Sequence, residues 1–349
     1  MSKLNVAIIC GGISSEHEIS CVSAGGVLSG LDTNKYNAIL IGVTKSGKWV
    51  LLPNDYPLEI RDGKLPTVDE NAPSVVADVH GFTVGGKDLN IGVVFPVLHG
   101  PYGEDGTIQG LLEIADLPYV GSGVLASAVA MDKSFAKPII AAAGMLIADG
   151  IVVTSRDSQV AIDDLAYPVF VKPARGGSSR GTHKVKSVES LNAALKDAFL
   201  YDHKVMIEQA VSGREIECAV LESEGVVTAS VVGEIVIDSK FEFYDFEAKY
   251  LDGATTVKIP ADIPAGAAEE IRIKAVKAFK ALGCSGLARC DFFYTDKGEI
   301  VINEINTMPG FTGTSMYPKL WAASGVDYTT LISALITTAL ARTNGVLGN

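Results

Sequence analysis

Residues 287–306 contain two alternating segments that flank Thr295-Asp296-Lys297-Gly298, a composition suited to a hairpin turn. Side chains two apart on a strand share a face, so Arg289 and Asp291 point the same way on the first segment. Glu304 and Asn306 do so on the second, in one file with apolar Ile300 and Ile302. If Lys297-Gly298 is a two-residue turn, Asp291 lies opposite Glu304 and Arg289 opposite Asn306. That register gathers three hard oxygen donors beside one guanidinium. Asp291, Glu304 and Asn306, with nucleotide phosphates, suit Mg²⁺, which takes carboxylate, carbonyl and water oxygens. The alternative is a polar hairpin face turned to water.

Residues 172–181, KPARGGSSRG, place Lys172 at a strand end and follow it with backbone NH groups, the hydroxyls of Ser178 and Ser179, and two arginines. Phosphate oxygens need such a set. It is not a Walker A loop, because no Gly-Lys-Ser or Gly-Lys-Thr follows the glycines. A charged hairpin tip is the other reading. Lys133 stands alone on a helix, where a lysine is usually solvated.

Gly11-Gly12 follows the first strand, but the full G-x-G-x-x-G is missing, which argues against a nicotinamide cofactor. Glu16 and His17 come at the start of the next helix, where a carboxylate also complements the helix dipole. His99 lies among glycines and reads more readily as structural than as catalytic. His80, His183 and His203 have no zinc-ligand spacing, and no G-x-S-x-G elbow offers a hydrolase nucleophile.

These groups need elements to hold them. Apolar runs at 4–10, 38–43 and 91–98 read as buried strands, the first halting at Gly11-Gly12 before a helix. An open α/β first domain follows, assigned to residues 1–124, with its loops at the carboxyl ends of the strands. A small middle α/β domain, 125–215, holds the Lys133 helix and strands at 169–172 and 204–209. The last domain, 216–349, opens with strands at 216–221 and 226–237. It continues into the stretch 239–264, too aperiodic for regular structure and long enough to be a lid, and ends in a core helix over 328–341.

The chain has 349 residues, enough for two or three domains, and hydrophobic residues make 48% of it, the profile of a compact globular protein. A net charge of -12 argues against a nucleic-acid or anionic-membrane partner, since both need a basic surface. Five scattered cysteines without a C-x-x-C pair read as reduced thiols of a cytoplasmic protein. Glycines at 11 and 12 interrupt the amino-terminal apolar run before a secretory signal could form, and 328–341 is too short to cross a bilayer.

Taken in order, the motifs resemble the D-alanine:D-alanine ligases of the ATP-grasp superfamily over nearly the whole chain. They are GGISSEHEIS at 11–20, HGPYGEDGTIQG at 99–110, Met131-Asp132-Lys133, Lys172-Pro173, Gly177-Ser178-Ser179, Glu247-Ala248-Lys249-Tyr250 and NEINTMPG at 303–310. The resemblance implies an α/β fold, α+β in part, of three domains, with ATP clasped between the middle and carboxyl-terminal ones. It implies two D-alanine substrates joined through a D-alanyl phosphate, with release of ADP and phosphate, for peptidoglycan precursors. A homodimer and two Mg²⁺ ions, replaceable by Mn²⁺, belong to the same implication.

Residue by residue, the match makes Lys133 and Lys172 phosphate ligands with Ser179, and sets Lys249 near the transferred phosphate. Glu208, Gln209, Ala210 and Val211 match the segment that meets adenine, and Glu215 the ribose carboxylate. Asp291, Glu304 and Asn306 match the magnesium ligands. Glu16 matches the anchor of the first ammonium and forms a trio with Ser178 and Tyr250. Arg289 and the Gly310 NH match the oxyanion donors, while His99, Ser315 and Met316 match substrate contacts.

Two positions depart from the pattern. Arg180 stands where relatives carry an apolar residue, and Gly176 replaces a bulkier one, which bears on the mobility and charge of the phosphate loop. A ligase whose second substrate is D-lactate or D-serine, and a nucleotide-binding sensor without catalysis, are the competing readings. A sensor has no need of an oxyanion donor such as Arg289.

Overall fold

The computed structural model describes residues 3–155, 166–237 and 255–342. The first apolar runs form a four-stranded sheet ordered Trp49–Leu52, Tyr36–Val43, Leu4–Gly11, Val93–Pro96, parallel except at the Trp49–Leu52 edge. Both faces are covered, as a parallel sheet requires. Val6, Ile8 and Cys10 pack against the helices His17–Gly30 and Tyr328–Ala341, while Ala7 and Ile9 pack against Thr107–Ile114. A three-stranded sheet of Val75–Asp78, Gly81–Val84 and Lys87–Asp88 was not foreseen from the sequence.

The first helix lies close to the carboxyl-terminal one. A Cβ at Gly26 would stand 2.5 Å from Phe311 O, and one at Gly30 would stand 2.6 Å from Tyr328 Cδ1. Helical glycine costs roughly 0.5–1 kcal/mol relative to alanine. Here it permits the approach that binds residues 311–332 to the amino-terminal sheet.

An antiparallel sheet follows, ordered His183–Val185, Val169–Pro173, Lys204–Gln209, Gly150–Thr154, and helix Val188–Ala198 covers one face. The largest sheet has six strands, ordered Thr255–Lys258, Val226–Ile237, Arg214–Ser223, Leu287–Tyr294, Ile300–Asn306, Leu146–Ile147. Helix Ala265–Ala281 packs on it, and so do Val124–Met131 and Lys133–Ala142. Residues 124–147 therefore share a core with strands far downstream in the chain.

Two expectations change here. The stretch 239–264 contains a regular strand, Thr255–Lys258, paired with Glu234 to Ile237. Four residues are too few to reveal a period, so the edge of the sheet had to supply the hydrogen bonds. Residues 238–254 lie outside the described ones.

The second change is in the hairpin. Thr295 N donates to Glu299 O at 3.0 Å and Tyr294 faces Ile300, so the turn has three residues, with Gly298 at φ 80°. Pairing then shifts by one between Asp291 and Phe292, a bulge at Asn303. The two irregularities cancel, and Asp291 does face Glu304 and Arg289 does face Asn306. The bulge also changes the phase of alternation. Ile300, Ile302 and Ile305 enter the core beneath the sheet, whereas Glu304 and Asn306 turn to the opposite face and not to the same one as Ile300 and Ile302.

Candidate active site

A cavity of about 560 Å³ opens on that opposite face. Its walls are the start of helix His17–Gly30, the loop after Val93–Pro96, the phosphate loop, and the turn 307–316. Of the residues singled out from sequence, it brings together Glu16, His99, Lys133, Ser178, Arg289, Glu304, Asn306, Gly310, Ser315 and Met316. These come from the amino terminus, the middle and the end of the chain. Lys249 and Tyr250 lie outside the described residues.

Glu16 occupies the N-cap position of its helix, so its side chain leaves the helix start toward the cavity. Ser178 Oγ donates to Glu16 Oε1 across 162 positions of sequence. Glycine is needed on both sides of this carboxylate. A Cβ at Gly177 would stand 2.7 Å, and one at Gly100 2.6 Å, from Glu16 Oε2. Ser178 and Ser179 adopt φ of 50° and 56°, a left-handed conformation rare for side-chain-bearing residues and frequent at ligand clamps.

His99 is enclosed and its basicity lowered, chiefly by burial, with the Glu16 charge opposing. That favours the neutral imidazole. Its Nδ1 lies 3.0 Å from the Met308 carbonyl, which only accepts, so Nδ1 bears the proton and Nε2 accepts from Ser23 Oγ at 2.9 Å. Both ring nitrogens thus have protein partners. A substrate contact through the ring requires one of these bonds to open.

Lys133 begins helix Lys133–Ala142, whose N-cap Asp132 accepts from Ser134 N. It is not a solvated lysine. Its Nζ donates to Gly176 O at 2.9 Å and pairs with Glu304 Oε2 at 3.1 Å. Burial opposes its charge most, but Glu304, Glu208 and Glu104 together outweigh this and hold the pKa above the ordinary lysine value. Lys172 pairs with Glu208 at 2.7 Å and reaches Asn303 Oδ1 at 3.4 Å. Glu208 also stands 2.5 Å from Lys137, a charge contact without hydrogen-bond alignment. Its carboxylate therefore neutralises two lysines, while the Gln209 amide and Ala210 NH both bond Pro168 O. Val211 and Glu215 are half-buried at either side of the turn into strand Arg214–Ser223.

On the six-stranded sheet, Arg289 donates from Nε and Nη2 to the two oxygens of Asp291, each at 2.7 Å. Asn306 Nδ2 donates to Asp291 Oδ2 at 3.0 Å. Burial works against the guanidinium charge, but Asp291 and Glu217 raise its pKa well above normal and keep it charged. Among the described residues, no three Cys, His, Asp or Glu side chains converge to hold a metal by themselves. Asp291, Glu304 and the Asn306 amide instead form the partial oxygen set that Mg²⁺ takes when phosphates and water complete its octahedron. The donor chemistry fits.

At the far wall, Thr312 N donates to Ser315 Oγ at 3.0 Å, and Ser315 is the N-cap of helix Met316–Ala323. The Ser315 hydroxyl lies against Gly310, where a Cβ would stand 3.1 Å from it. A second hollow, of about 400 Å³, lies between Asp105, Asp132, Phe135 and Arg175. Its charges are committed elsewhere, Arg175 to Asp202 and Asp132 to Lys204.

Three residues of the site had no assigned role. Glu104 accepts from Gly100 N at 2.9 Å and from Met308 N at 3.2 Å, tying the loop of 99–106 to the turn carrying Gly310. Withdrawal from water, then the Glu16 charge, raises its pKa to about 8. Glu217 lines the cavity beside Arg289, and its place in an alternating strand was the available signal. Lys137 follows Lys133 by four residues, on the same helix face, and burial followed by the Lys172 charge lowers its pKa to about 8.

Comparison with known proteins bears on this geometry. Residues 5–122 match the family profile described as D-ala D-ala ligase N-terminus, and 139–337 that of the D-ala D-ala ligase C-terminus. The chain is 49% identical to a D-alanine--D-alanine ligase of Mycolicibacterium gilvum, with 99% of each chain covered. It superposes on the VanG D-Ala:D-Ser ligase of Enterococcus faecalis with a TM-score of 0.86 and 37% identity, over 97% of this chain and 100% of that one. The D-alanine--D-alanine ligase of Bacillus anthracis complexed with ATP gives a TM-score of 0.74 and 29% identity, over 97% and 98% of the two chains.

Proposed function

The chain belongs to the D-alanine:D-alanine ligase family, and we propose that the cavity around Glu16, Arg289 and Glu304 is where it does the family's work. It is an ADP-forming ligase that uses ATP to join two D-alanine molecules for peptidoglycan synthesis. The carrying observation is a single cavity holding a carboxylate anchor, a charged guanidinium and the Lys133–Glu304 pair, drawn from all parts of the chain.

ATP lies between the antiparallel four-stranded sheet and the six-stranded one, with its phosphates toward Lys133, Lys172 and the NH groups of the Ser178-Ser179 loop. The family resemblance gives Lys249, outside the described residues, a role at the transferred phosphate. Mg²⁺ at Asp291, Glu304 and Asn306 supplies charge neutralisation on the phosphates when bound. Two ions are carried, and Mn²⁺ substitutes for either.

Glu16, oriented by Ser178, holds the first D-alanine ammonium and aims its carboxylate at the γ-phosphate. The family resemblance makes Tyr250, outside the described residues, the third member of the trio. Attack by the first carboxylate expels ADP and forms the acyl phosphate; the second D-alanine's amine, once deprotonated, then attacks its acyl carbon and expels inorganic phosphate, with Ser315 at its carboxylate and Met316 lining its pocket. Arg289 and the Gly310 NH face the oxyanion that forms. Positioning and fixed charge supply most of the catalysis. The adenine meets residues 208–211 and the ribose Glu215, with the Glu208 side chain acting through its two lysines. A homodimer and a cytoplasmic location belong to the same proposal by family resemblance; no described helix is long and apolar enough to cross a membrane.

The test is incubation with MgATP and a panel of D- and L-amino acids and hydroxy acids, with chiral analysis and mass spectrometry of the products. D-alanyl-D-alanine is expected, with ATP hydrolysis dependent on D-alanine. A predominance of D-alanyl-D-lactate or D-alanyl-D-serine would overturn the second-substrate assignment, and hydrolysis indifferent to D-alanine would overturn the site.

A further inference from the structure

Strand pairing sets Glu217 opposite Asp291, and Asp291 opposite Glu304, on three neighbouring strands. The three carboxylates form a row across one face of the sheet, its two outer members lining the cavity, and neighbours in such a row repel unless cations intervene. Arg289 and Lys133 intervene. Lys133 serves Glu304, while Arg289 serves both other members. The sharing is uneven. Nε and Nη2 donate to Asp291 at 2.7 Å, and the same Nε stands 3.1 Å from Glu217 Oε2, whose side chain is only 6% exposed.

Asp291 has two claims on it. As a proposed cation ligand it must turn oxygens toward the metal, and those oxygens are the ones Arg289 now holds. A guanidinium released in an enclosed site still needs an anion, or its charge goes unmet. We propose that Glu217 is a positioning residue that takes over Arg289 when Asp291 turns to a divalent cation, so that metal binding and the aiming of Arg289 at the reacting carbonyl are one event. This rests on the magnesium reading of Asp291. Glu217 is already within reach on the neighbouring strand, so the transfer requires side-chain rotation and no movement of the sheet.

Removing Glu217 leaves Arg289 bound to Asp291 in competition with the cation. The probe is Mn²⁺ with ADP, followed by electron paramagnetic resonance on the full chain. Glu217→Gln is expected to raise the half-saturating Mn²⁺ concentration about tenfold, in the range of couplings between contacting residues. In an Arg289→Gln background, where no guanidinium competes for Asp291 and only the Asn306 amide still bonds it, the same substitution should change it less than twofold. An equal shift in both backgrounds means that Glu217 acts on the ion by its charge alone, and overturns the proposal. So does no shift for Glu217→Gln where Asp291→Asn weakens binding. Unchanged binding in Asp291→Asn overturns the metal site itself, and the transfer with it. Should Glu217→Gln not fold, Glu217→Asp carries the same cycle, because it keeps the charge and loses the reach.

Discussion

Glu104 makes stability depend on pH in a calculable way. Its carboxyl has a pKa of about 8 in the folded chain, raised by withdrawal from water and by Glu16, against an ordinary glutamate value of about 4.3. A raised pKa means that the native state holds the proton more tightly. The contribution is present in full below the unfolded value and is lost as pH rises through about 8. Each unit within that window is worth about 1.4 kcal/mol, so pH 6 to pH 8 spans roughly 2 kcal/mol after allowance for partial titration. Glu104 keeps some exposure to the cavity, and screening reduces this to about 1–2 kcal/mol. Glu104→Gln cannot ionise. Its amide accepts from one of Gly100 N and Met308 N and presents an NH₂ to the other, a cost of roughly 1–3 kcal/mol. The variant is therefore less stable than wild type at pH 6, and the gap narrows by about 1–2 kcal/mol at pH 8. Urea denaturation of both proteins at the two pH values, without metal or nucleotide, measures it. A gap of constant size would refute the reasoning.

Glu304→Gln replaces a proposed metal ligand by an amide and removes the charged partner of Lys133, so the Mg²⁺ needed for half-maximal turnover rises while the circular dichroism stays that of wild type; unchanged magnesium dependence counts against the assignment. Lys172→Ala raises the apparent KM for ATP, and its stability cost stays below the ~3–5 kcal/mol of an unpartnered buried charge because Lys137 still faces Glu208. Wild-type kinetics across an ATP titration would remove Lys172 from the phosphate site. Gly177→Ala places a methyl group 2.7 Å from Glu16 Oε2, so the carboxylate must shift and the KM for the first D-alanine should rise. Equal KM values would show that Glu16 does not anchor that substrate.

Much of the scaffold was legible in the residues because its signals are local. The strands at 204–209 and 226–237 and the helix at 328–341 have the same limits in sequence and structure, since apolar runs bounded by turn residues carry their own ends. The pairing of Asp291 with Glu304 was also legible, although for an incomplete reason. A two-residue turn and a three-residue turn followed by a bulge produce the same partners. Only the second sends Ile300 and Ile302 into the core while Glu304 and Asn306 line the cavity, and no period-two pattern contains the extra residue at Asn303 that does so.

What the residues could not carry is the electrostatic state of the site. Glu104, Lys137 and Glu217 look like ordinary charged side chains in their own segments. Burial comes first for Glu104 and Lys137, and the charges the fold sets beside the three, Glu16, Glu208 and Arg289, arrive from 88, 71 and 72 positions away in the chain. His99 shows the same dependence, its tautomer decided by Ser23 and by Met308, 209 residues distant. Residue type and spacing determined which groups were available for phosphate, metal and amino-acid chemistry. Tertiary structure decided which charges met in a partly dehydrated cavity, because burial and opposite charge act through space and shift protonation only where the fold brings distant segments together.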